Sequence, residues 1–431
     1  MAEHEIDKSG PDHLRRLLGG PTSFARQGDP RRLAEILEVL LHAGPVTSAE
    51  LEFILRERSG TVRTRIVAQG SLADWVGAGR ARPEFLHLGW IAPDKSRWIL
   101  TEEGAAVART HPSASPSEFA KRLCVAGDRR LDRLISRLLT RLWQLNPHQQ
   151  GAVILPQPSI RDVPDDVHGF NGWVISACEK WHGDLRKNSP GVLDVVEQRT
   201  ALSGRPESAE KYLIRRSLNL VTLISSMWGE TWQGMELGRR RTRLQRVITG
   251  ELLDILFGDI LAPGDFQVWQ SRMDWAGLTL LARNLFRNRK RVWFPVGAFR
   301  DDAPDDFTAV PGLGTEGRTW FCYTPKGPDA ERKLADALFE AYQERQRVEP
   351  SQYVSLPAVR DYVCYKLRIG NAYFESLLQQ VFPRVLNGEL PYAMALEVDV
   401  SAAERARLGN SLPIVIDGIP RFIMAMQRKQ P

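Results

Sequence analysis

The segment Phe85–Gly104 restricts the fold more than any other part of the chain. After the end of a short helix it has an apolar run at Gly89–Ala92, a polar tip at Pro93–Arg97 and a second apolar run at Trp98–Thr101. Two short apolar runs joined by a polar turn are typical of an antiparallel hairpin. We therefore predict a two-stranded ribbon that directly follows a helix.

Two amphipathic helices are predicted before this ribbon. The first begins near Pro30, where a first-turn proline is tolerated, and ends at Gly44-Pro45. The second begins at Thr47 or Ser48, which supply a capping hydroxyl ahead of the acidic residue Glu50. A short first strand is also expected in this region, but the sequence pattern does not place it.

A third helix is expected before Leu88, and two segments are candidates for it, Val62–Ala68 and Ser71–Val76. Both are bordered by arginines, so the region has a basic surface under either assignment. The basic residues expected to contact phosphate are these arginines and two residues at the hairpin tip: Arg63, Arg65, Arg80, Arg82, Lys95 and Arg97.

Three helices followed by a hairpin form the element order of a winged helix-turn-helix domain. Residues 31–108 resemble the winged-helix domain at the N-terminus of Mrr-type restriction proteins and related defence modules. The likeness is carried by Leu86-His-Leu-Gly-Trp-Ile91 and by Trp98-Ile-Leu-Thr-Glu-Glu-Gly104. It implies DNA as the partner, with double-stranded DNA favoured, and a role in prokaryotic restriction or phage defence. The restriction nuclease domain that follows in those proteins has no counterpart that we find here.

Composition divides the chain into five predicted parts. Proline and glycine pairs mark a flexible lead-in, and a run of serine and proline marks a linker. The fold class is predicted as mainly α with small β-hairpins (α+β), with two terminal winged-helix domains flanking a mostly helical middle region. The parts are a lead-in (1–29), a winged-helix domain (30–110), a linker (111–119), an arginine-rich central region (120–347) and a C-terminal winged-helix-like domain (348–431).

The central region is predicted to be mostly helical because leucines, valines and isoleucines recur there at helical spacing. Predicted helices lie at Glu207–Met227, Thr242–Leu261 and Met273–Arg287, and strand-rich segments lie near Val292–Phe299 and Thr319–Tyr323. An earlier amphipathic helix between Leu131 and Trp143 has arginines on its polar side. Those arginines form either a solvated face or a contact with a nucleic-acid backbone: Arg129, Arg130, Arg133, Arg137 and Arg141.

Two basic clusters flank the central helices and have tryptophans nearby in sequence. Basic side chains with aromatic rings suit a nucleic-acid strand, although tryptophans at such spacing also serve as core residues. The central residues predicted to contact nucleic acid are Arg239, Arg240, Arg241, Arg289, Lys290 and Arg291.

The C-terminal part has a second helix-turn-helix pattern. A helix from Leu356 to Leu367 is followed by the turn Arg368–Gly370 and a second helix, Asn371–Val381, with Asn371 as its cap. The strands Leu412–Ile416 and Arg421–Met426 are predicted to pair across an Asp417-Gly418 turn, which suits type I′ geometry. We predict nucleic-acid contacts at Arg368, Asn371 and Tyr373, with Glu375, Ser376 and Gln379 or Gln380 on the same helix. Because this face is less basic than the first, protein binding is the alternative.

Patterns of catalytic sites give little support to a reaction. The glycines of Gly312-Leu-Gly-Thr-Glu-Gly317 match a dinucleotide-binding motif formally, but they precede an apolar run and do not open a helix, so we predict a loop. A nuclease site would need converging carboxylates and a lysine, and the candidates do not share a helix face. The nuclease candidates are Asp305, Asp306, Glu331 and Lys333. A looser metal-ligand cluster consists of Asp165, Asp166, His168, His182 and Asp184.

Charge and composition complete the prediction. The chain has 431 residues and a net charge of +6, mostly from arginine, which favours anionic partners. Its start, Met1–Lys8, is acidic and polar, and no apolar run approaches the roughly 20 residues that span a bilayer. Four cysteines without C-x-x-C spacing indicate buried thiols: Cys124, Cys178, Cys322 and Cys364. We therefore expect a cytoplasmic protein without a membrane partner or a cofactor.

Three functions remain open from the sequence. The first is a modular DNA-binding protein, a non-catalytic component of a prokaryotic restriction or phage-defence complex. The second is a metal-dependent nuclease with its site in the central region. The third is an assembly subunit whose winged helices bind protein partners. We predict no catalytic or metal-binding residue, and whether the chain is an enzyme stays open.

Overall fold

The computed structural model describes residues 23–25, 27–61, 81–94, 96–160, 163–164, 167–204, 206–230, 237–285, 290–302, 304–348, 350–398 and 414–429. These ranges contain fourteen α-helices and thirteen short strands, and the strands form small antiparallel sheets. The predicted fold class, mainly α with small β-hairpins, is therefore confirmed. Within the described ranges, none of the helices has both the length and the apolar character that crossing a bilayer requires.

The chain forms two compact units. The first comprises the described residues up to Ala114 together with Ala126–Ser271. The second comprises Ser115–Val125 together with the described residues from Arg272 onward. Two helices, Pro116–Arg130 and Pro263–Trp275, contribute residues to both units, so two of the boundaries between the units lie inside helices.

The beginning of the first unit consists of helices around a small antiparallel ribbon. The two-residue strand that the sequence pattern does not place is Val46–Thr47, and it pairs with Arg97–Trp98 in the register Val46↔Trp98 and Thr47↔Arg97. A further bridge joins Ile91 to Leu100. The elements are α1 (Pro30–Ala43), β1 (Val46–Thr47), α2 (Ser48–Thr61), α3 (Ala81–Leu88), β2 (Arg97–Trp98) and α4 (Glu102–Ala108).

An aromatic cluster holds this ribbon against α3. The ring of Phe85 lies 5.9 Å from that of Trp90 and 6.2 Å from that of Trp98, and all three side chains are buried. The indole nitrogen of Trp98 donates a hydrogen bond of 3.0 Å to the hydroxyl of Ser48, the first residue of α2. The hairpin predicted from Phe85–Gly104 is thus fixed to both neighbouring helices.

The rest of the first unit is almost entirely helical. The predicted helices at Glu207–Met227 and Thr242–Leu261 are confirmed with shifted ends, as α9 and α10. Helix α5 begins at Pro116, inside the segment predicted to be a linker. The elements are α5 (Pro116–Arg130), α6 (Leu134–Leu145), β3 (Val153–Ile154), α7 (Val167–Asn188), α8 (Val192–Leu202), α9 (Ala209–Glu230), α10 (Leu237–Phe257) and α11 (Pro263–Trp275).

The second unit contains most of the strands. Helix α12 packs on α13 and α14, and α13 also packs on β4. Strands β4 and β5 pair, β8 lies between β6 and β7, and β13 lies between β10 and β9. The elements are β4 (Thr279–Leu285), β5 (Lys290–Pro295), β6 (Gly297–Arg300), β7 (Phe307–Thr315), β8 (Arg318–Tyr323), α12 (Gly327–Val348), β9 (Val354–Ser355), α13 (Leu356–Leu367), α14 (Asn371–Leu386), β10 (Tyr392–Glu397), β11 (Ile414–Ile416), β12 (Ile419–Arg421) and β13 (Ile423–Arg428).

The helix predicted over Met273–Arg287 is wrong. Helix α11 ends at Trp275, Gly277 takes a φ of 66°, and β4 begins at Thr279. A short apolar run such as Leu278–Ala282 fits a buried helix or a buried strand equally well. Pairing with β5 decides in favour of the strand, because it gives the backbone of this buried run its hydrogen-bond partners.

The glycine-rich segment Gly312–Gly317 is a hairpin, whereas the sequence predicts a loop. Gly312 and Gly314 lie within β7, and Gly317, with a φ of 81°, forms the turn into β8. A Cβ atom on Gly314 would lie 2.5 Å from the carbonyl oxygen of Arg318, so the strands approach too closely for a side chain. These glycines serve strand pairing, and none of them opens a helix toward a phosphate.

The C-terminal hairpin is partly as predicted. Asp417 and Gly418 have φ angles of 50° and 74° and join β11 to β12, which confirms the turn. The return strand is β12, so Arg421 pairs with Ile414 as predicted, but Ile423–Met426 belongs to β13 and pairs with β10 and β9. Asn371 is also not the cap of α14, since Gly370 occupies the cap position.

Candidate nucleic-acid interface

The tip of the first hairpin is shaped by Asp94. One of its carboxylate oxygens accepts hydrogen bonds from the backbone nitrogens of Ser96 and Arg97, both at 2.8 Å, and from the Ser96 hydroxyl at 3.2 Å. The backbone bonds from Ser96 and Arg97 lower the pKa of Asp94. The ionised carboxylate of Asp94 therefore closes the turn in the manner of an Asx-turn and fixes the backbone at Ser96 and Arg97.

Two of the predicted basic residues meet at this hairpin. A guanidinium nitrogen of Arg82, on α3, donates a hydrogen bond of 3.0 Å to the carbonyl oxygen of Arg97, on β2. The side chain of Arg97 is exposed, and that of Arg82 is half-buried. The structure thus joins a helix arginine to a hairpin arginine on one surface. Arg63, Arg65, Arg80 and Lys95 lie outside the described residues.

Hydrogen bonds and close packing join the end of the hairpin to α4. The hydroxyl of Thr101 donates to the carbonyl of Gly89 at 2.7 Å and accepts from the nitrogen of Gly104 at 3.1 Å. The nitrogen of Thr101 donates to the carbonyl of Trp90 at 3.0 Å. A Cβ atom on Gly104 would lie 2.0 Å from that same carbonyl oxygen. Thr101 therefore caps α4 and bonds the start of this helix to the hairpin. Because Gly104 has no side chain, α4 can approach the carbonyl of Trp90 closely.

The predicted central clusters fall in different units. Arg239 and Arg241 lie on α10 in the first unit, where Arg239 is exposed and Arg241 is half-buried. Lys290 and Arg291 begin β5 in the second unit and are half-buried. The side chain of Arg240 and the whole of Arg289 lie outside the part of the chain that is described.

Arg141 has a structural role. Its guanidinium donates two hydrogen bonds, of 2.8 and 2.7 Å, to the two carboxylate oxygens of Asp259, and a third of 2.9 Å to the carbonyl of Leu256. Only 10% of its side chain is exposed. Both predictions for Arg141, a solvated face and a nucleic-acid contact, are therefore wrong. Its side chain instead bonds α6 to the end of α10.

The predicted contacts of the C-terminal part are engaged within the second unit. The Arg368 guanidinium carbon lies 5.0 Å from the ring centre of Phe294 and 4.7 Å from that of Tyr365, and burial lowers the pKa of Arg368. The Tyr373 hydroxyl donates to the carbonyl of Pro325. The amide oxygen of Asn371 lies 3.9 Å from the Cys364 sulfur. These three side chains therefore help to hold the helix pair in place.

Helix α14 has three uncharged polar side chains exposed on its outer face. Ser376, Gln379 and Gln380 are exposed, and Glu375 is half-buried. The Gln379 side-chain nitrogen donates to the carbonyl of Val415 on β11 at 3.3 Å. Burial raises the pKa of Glu375, opposed by the positive charge of Arg360. This face offers hydrogen-bond donors and acceptors without a concentration of positive charge.

The side chains considered for a metal site are used otherwise. Glu331 pairs with Arg384, and Lys333 pairs with Asp329 at 2.7 Å. Among the described residues, no group of three or more His, Cys, Asp and Glu side chains is placed to hold a metal ion. Asp165, Asp166 and the side chain of His168 lie outside the described residues.

His182 is buried beside Ser217, with 2.9 Å between its Nδ1 atom and the Ser217 hydroxyl. Burial lowers the pKa of His182 to about 4, so the ring is neutral near pH 7. The Ser217 hydroxyl also donates to the carbonyl of Leu213, one helical turn earlier. Asp184, two residues from His182, is exposed. The contact between His182 and Ser217 joins α7 to α9.

The sequence prediction missed Arg283. It follows Ala282 on β4, and Arg291 precedes Val292 on β5, so the two arginines flank the cross-strand pair Ala282↔Val292. The helix predicted over Met273–Arg287 concealed this, since a helix would not bring Arg283 beside Arg291. The signal that could have found it is the apolar run before Arg283, which mirrors the apolar run after Arg291.

Comparisons of the chain with models of known protein families, with curated proteins and with solved structures gave no match.

Proposed function

We propose that the protein binds double-stranded DNA through a winged helix-turn-helix domain formed by residues 31–108. In such a domain a short strand between the first two helices lies beside the return strand of the hairpin, and the hairpin contacts the backbone as a wing. The pairing of β1 with β2 and the bridge from Ile91 to Leu100 support this order. The phosphate backbone supplies most of the affinity of such a contact.

The single observation that carries the proposal is the bond from Arg82 to the backbone of Arg97. It couples the helix before the hairpin to the hairpin strand, and it leaves the Arg97 side chain exposed next to a second arginine. Two guanidinium groups on one surface suit neighbouring phosphates, because each can donate bidentate hydrogen bonds. Arg63, Arg65, Arg80 and Lys95 belong to the same proposed surface.

The C-terminal domain supports a second role, protein binding. Together with α12, which ends at Val348 where the predicted domain begins, it repeats the order helix, short strand, two helices and strand, in α12, β9, α13, α14 and β10, and β13 lies between β9 and β10. This too is the order of a winged helix, but the exposed residues Ser376, Gln379 and Gln380 are uncharged. We propose that this face binds another subunit of a restriction or phage-defence complex, with the protein acting in the cytoplasm as a non-catalytic component.

The nuclease alternative has less support. Glu331, one of the carboxylates it would need, is paired with Arg384, and Lys333 is paired with Asp329. A metal site at this position would have to break both pairs. The test is Mg²⁺- or Mn²⁺-dependent cleavage of DNA by the full chain: cleavage that is lost in both Asp306→Ala and Glu331→Ala would replace the non-catalytic proposal.

The DNA proposal is tested by fluorescence anisotropy with a labelled random-sequence duplex at several salt concentrations. We expect the affinity of the full chain to fall steeply with salt, and single-stranded DNA of the same length to bind more weakly. Binding that does not change with salt, or a clear preference for the single strand, would contradict a duplex-binding wing.

A further inference from the structure

Strands β4 and β5 present two arginines side by side at one end of their ribbon. Ala282 pairs with Val292, and the register shifts between this pair and the next, Leu285↔Lys290. Arg283 and Arg291 are the residues adjoining the Ala282↔Val292 pair, where the regular register ends. Burial and, in addition, the positive charge of Arg283 lower the pKa of Arg291, and the negative charge of Asp274 opposes this shift.

The positive charge of this pair is only partly compensated, since the carboxylate of Asp274 attracts both guanidinium groups. Within the described residues the Arg283 side chain takes part in no ion pair, and the buried Nε of Arg291 has no hydrogen-bond partner. Like charges on adjoining strands repel one another, and a buried donor without an acceptor is destabilising. An anion between the two guanidinium groups would relieve both penalties.

The acidic side chains near the pair accept their hydrogen bonds from other groups. One oxygen of Asp274 accepts hydrogen bonds from the Thr279 hydroxyl at 2.7 Å and from the Trp293 indole at 3.3 Å. Its other oxygen accepts from the nitrogen of Leu281 at 3.1 Å. Burial also raises the pKa of Asp274 to about 7, so near neutral pH this carboxyl group is only partly charged.

The carboxylate of Asp361, on α13, accepts from the backbone nitrogen of Arg283 at 3.1 Å and pairs with the guanidinium of Arg360 at 3.1 Å. It therefore binds the main chain of Arg283 and neutralises a different arginine. The backbone of Arg283 is fixed by this bond, while its side chain is exposed. Arg283 thus has an anchored main chain and an exposed guanidinium fork, and Arg291 lies on the adjoining strand.

We propose that Arg283 and Arg291 together bind one phosphate group of a nucleic-acid backbone. A phosphate has enough oxygens to accept from both guanidinium forks at once, and arginine matches this geometry better than lysine. This inference rests on the proposed function, because it assigns the second unit a backbone contact of its own. The same chemistry would hold the phosphate of a free nucleotide or inorganic phosphate, and the test separates these sources.

The test compares the full chain with the double variant Arg283→Gln and Arg291→Gln. A matched control, Arg318→Gln with Arg332→Gln, removes the same charge from two arginines of the second unit that are already paired with Glu316 and Asp329. Anisotropy with the labelled duplex at several salt concentrations gives the affinity and its salt slope. Thermal denaturation with added inorganic phosphate or a nucleoside monophosphate reports binding of a free anion.

We expect the Arg283/Arg291 variant to bind the duplex at least about tenfold more weakly, and its salt slope to fall by about 1, the value for one phosphate. The control variant should bind as the unchanged chain does. If the glutamine variant does not fold, the Arg283→Lys and Arg291→Lys variant replaces it. That variant keeps the charge but loses the fork geometry, so weaker binding is still expected.

The outcomes separate this inference from the DNA proposal. Unchanged binding by the Arg283/Arg291 variant, together with weakened binding by an Arg82→Gln and Arg97→Gln variant, overturns the inference and leaves the proposed function intact. If the unchanged chain binds no duplex, the proposed function fails. Thermal denaturation with added inorganic phosphate then decides whether Arg283 and Arg291 bind a free anion. Stabilisation by inorganic phosphate that the Arg283/Arg291 variant lacks then supports a site for free phosphate. Equal stabilisation of both chains, or none, overturns the site.

Discussion

Replacing Gly104 with alanine tests whether the hairpin is held as described. The added Cβ atom would lie 2.0 Å from the carbonyl oxygen of Trp90, whereas ordinary contacts begin near 3.4 Å. The obstacle is backbone, which cannot rotate away as a flexible side chain can. Helix α4 and the hairpin must therefore separate by more than about 1 Å, beyond what close-packed interiors absorb without loss of contacts.

That separation acts on the bonds that join the same two elements. Thr101 donates from its nitrogen to Trp90 and from its hydroxyl to Gly89, and it caps α4 by accepting from Gly104. Each hydrogen bond contributes about 1 kcal/mol and the cap about 1 kcal/mol. Alanine recovers about 1 kcal/mol of helix propensity. The net expected loss of stability is about 2 kcal/mol.

Hydrogen exchange followed by mass spectrometry measures this loss where it occurs. A local destabilisation of about 2 kcal/mol corresponds to roughly thirtyfold faster exchange in peptides that cover residues 89–104. Gly183→Ala is the matched control, since Gly183 lies inside α7 and a Cβ atom there meets nothing within 4 Å. That control should be neutral or stabilising by up to about 1 kcal/mol. Exchange in Gly104→Ala that equals the unchanged chain would refute the packing argument.

Two further predictions concern buried charges. Arg141→Met should lower the free energy of unfolding by about 3 kcal/mol in urea, because it leaves the carboxylate of Asp259 without its bidentate partner; a change below about 1 kcal/mol would mean that the pair is solvated. For Asp274, burial raises the pKa from 3.8 to about 7, so the folded chain holds this proton to higher pH than the unfolded chain. The stability from this group is present below pH 4 and declines as the pH rises to 7, by an upper bound of about 4 kcal/mol, and Asp274→Asn should flatten that part of the stability curve. An unchanged curve in Asp274→Asn would show that the group titrates normally.

The elements predicted well from the sequence are those defined by local patterns. The hairpin within Phe85–Gly104 and the helix pair around Arg368–Gly370 are specified by residues that are neighbours in the chain. Strand β1 is only two residues long and is defined by its pairing with Trp98, so no local pattern marks it. Strand β4 was predicted as a helix because its apolar run fits both periods.

Strand β10 is absent from the sequence prediction for a different reason. Its residues alternate between buried and exposed, with Tyr392, Met394 and Leu396 buried, so a period of two was present in the sequence. The roles of the individual arginines were harder to predict from the sequence. Arg141 and Arg97 look alike in sequence, and only the fold brings Asp259, 118 residues away, to Arg141. A basic residue can therefore be assigned to binding or to structure only when its long-range partners are known.

The most direct test of the DNA proposal is the salt dependence of duplex binding in the variant Arg82→Gln with Arg97→Gln. Its control, Arg186→Gln with Arg215→Gln, removes two exposed arginines of the same unit, which lie on α7 and α9. We predict weaker binding by the first variant and a salt slope lower by about 2, one unit for each phosphate contact, with the control unchanged. An affinity and slope equal to those of the unchanged chain would contradict a DNA-binding surface at this hairpin.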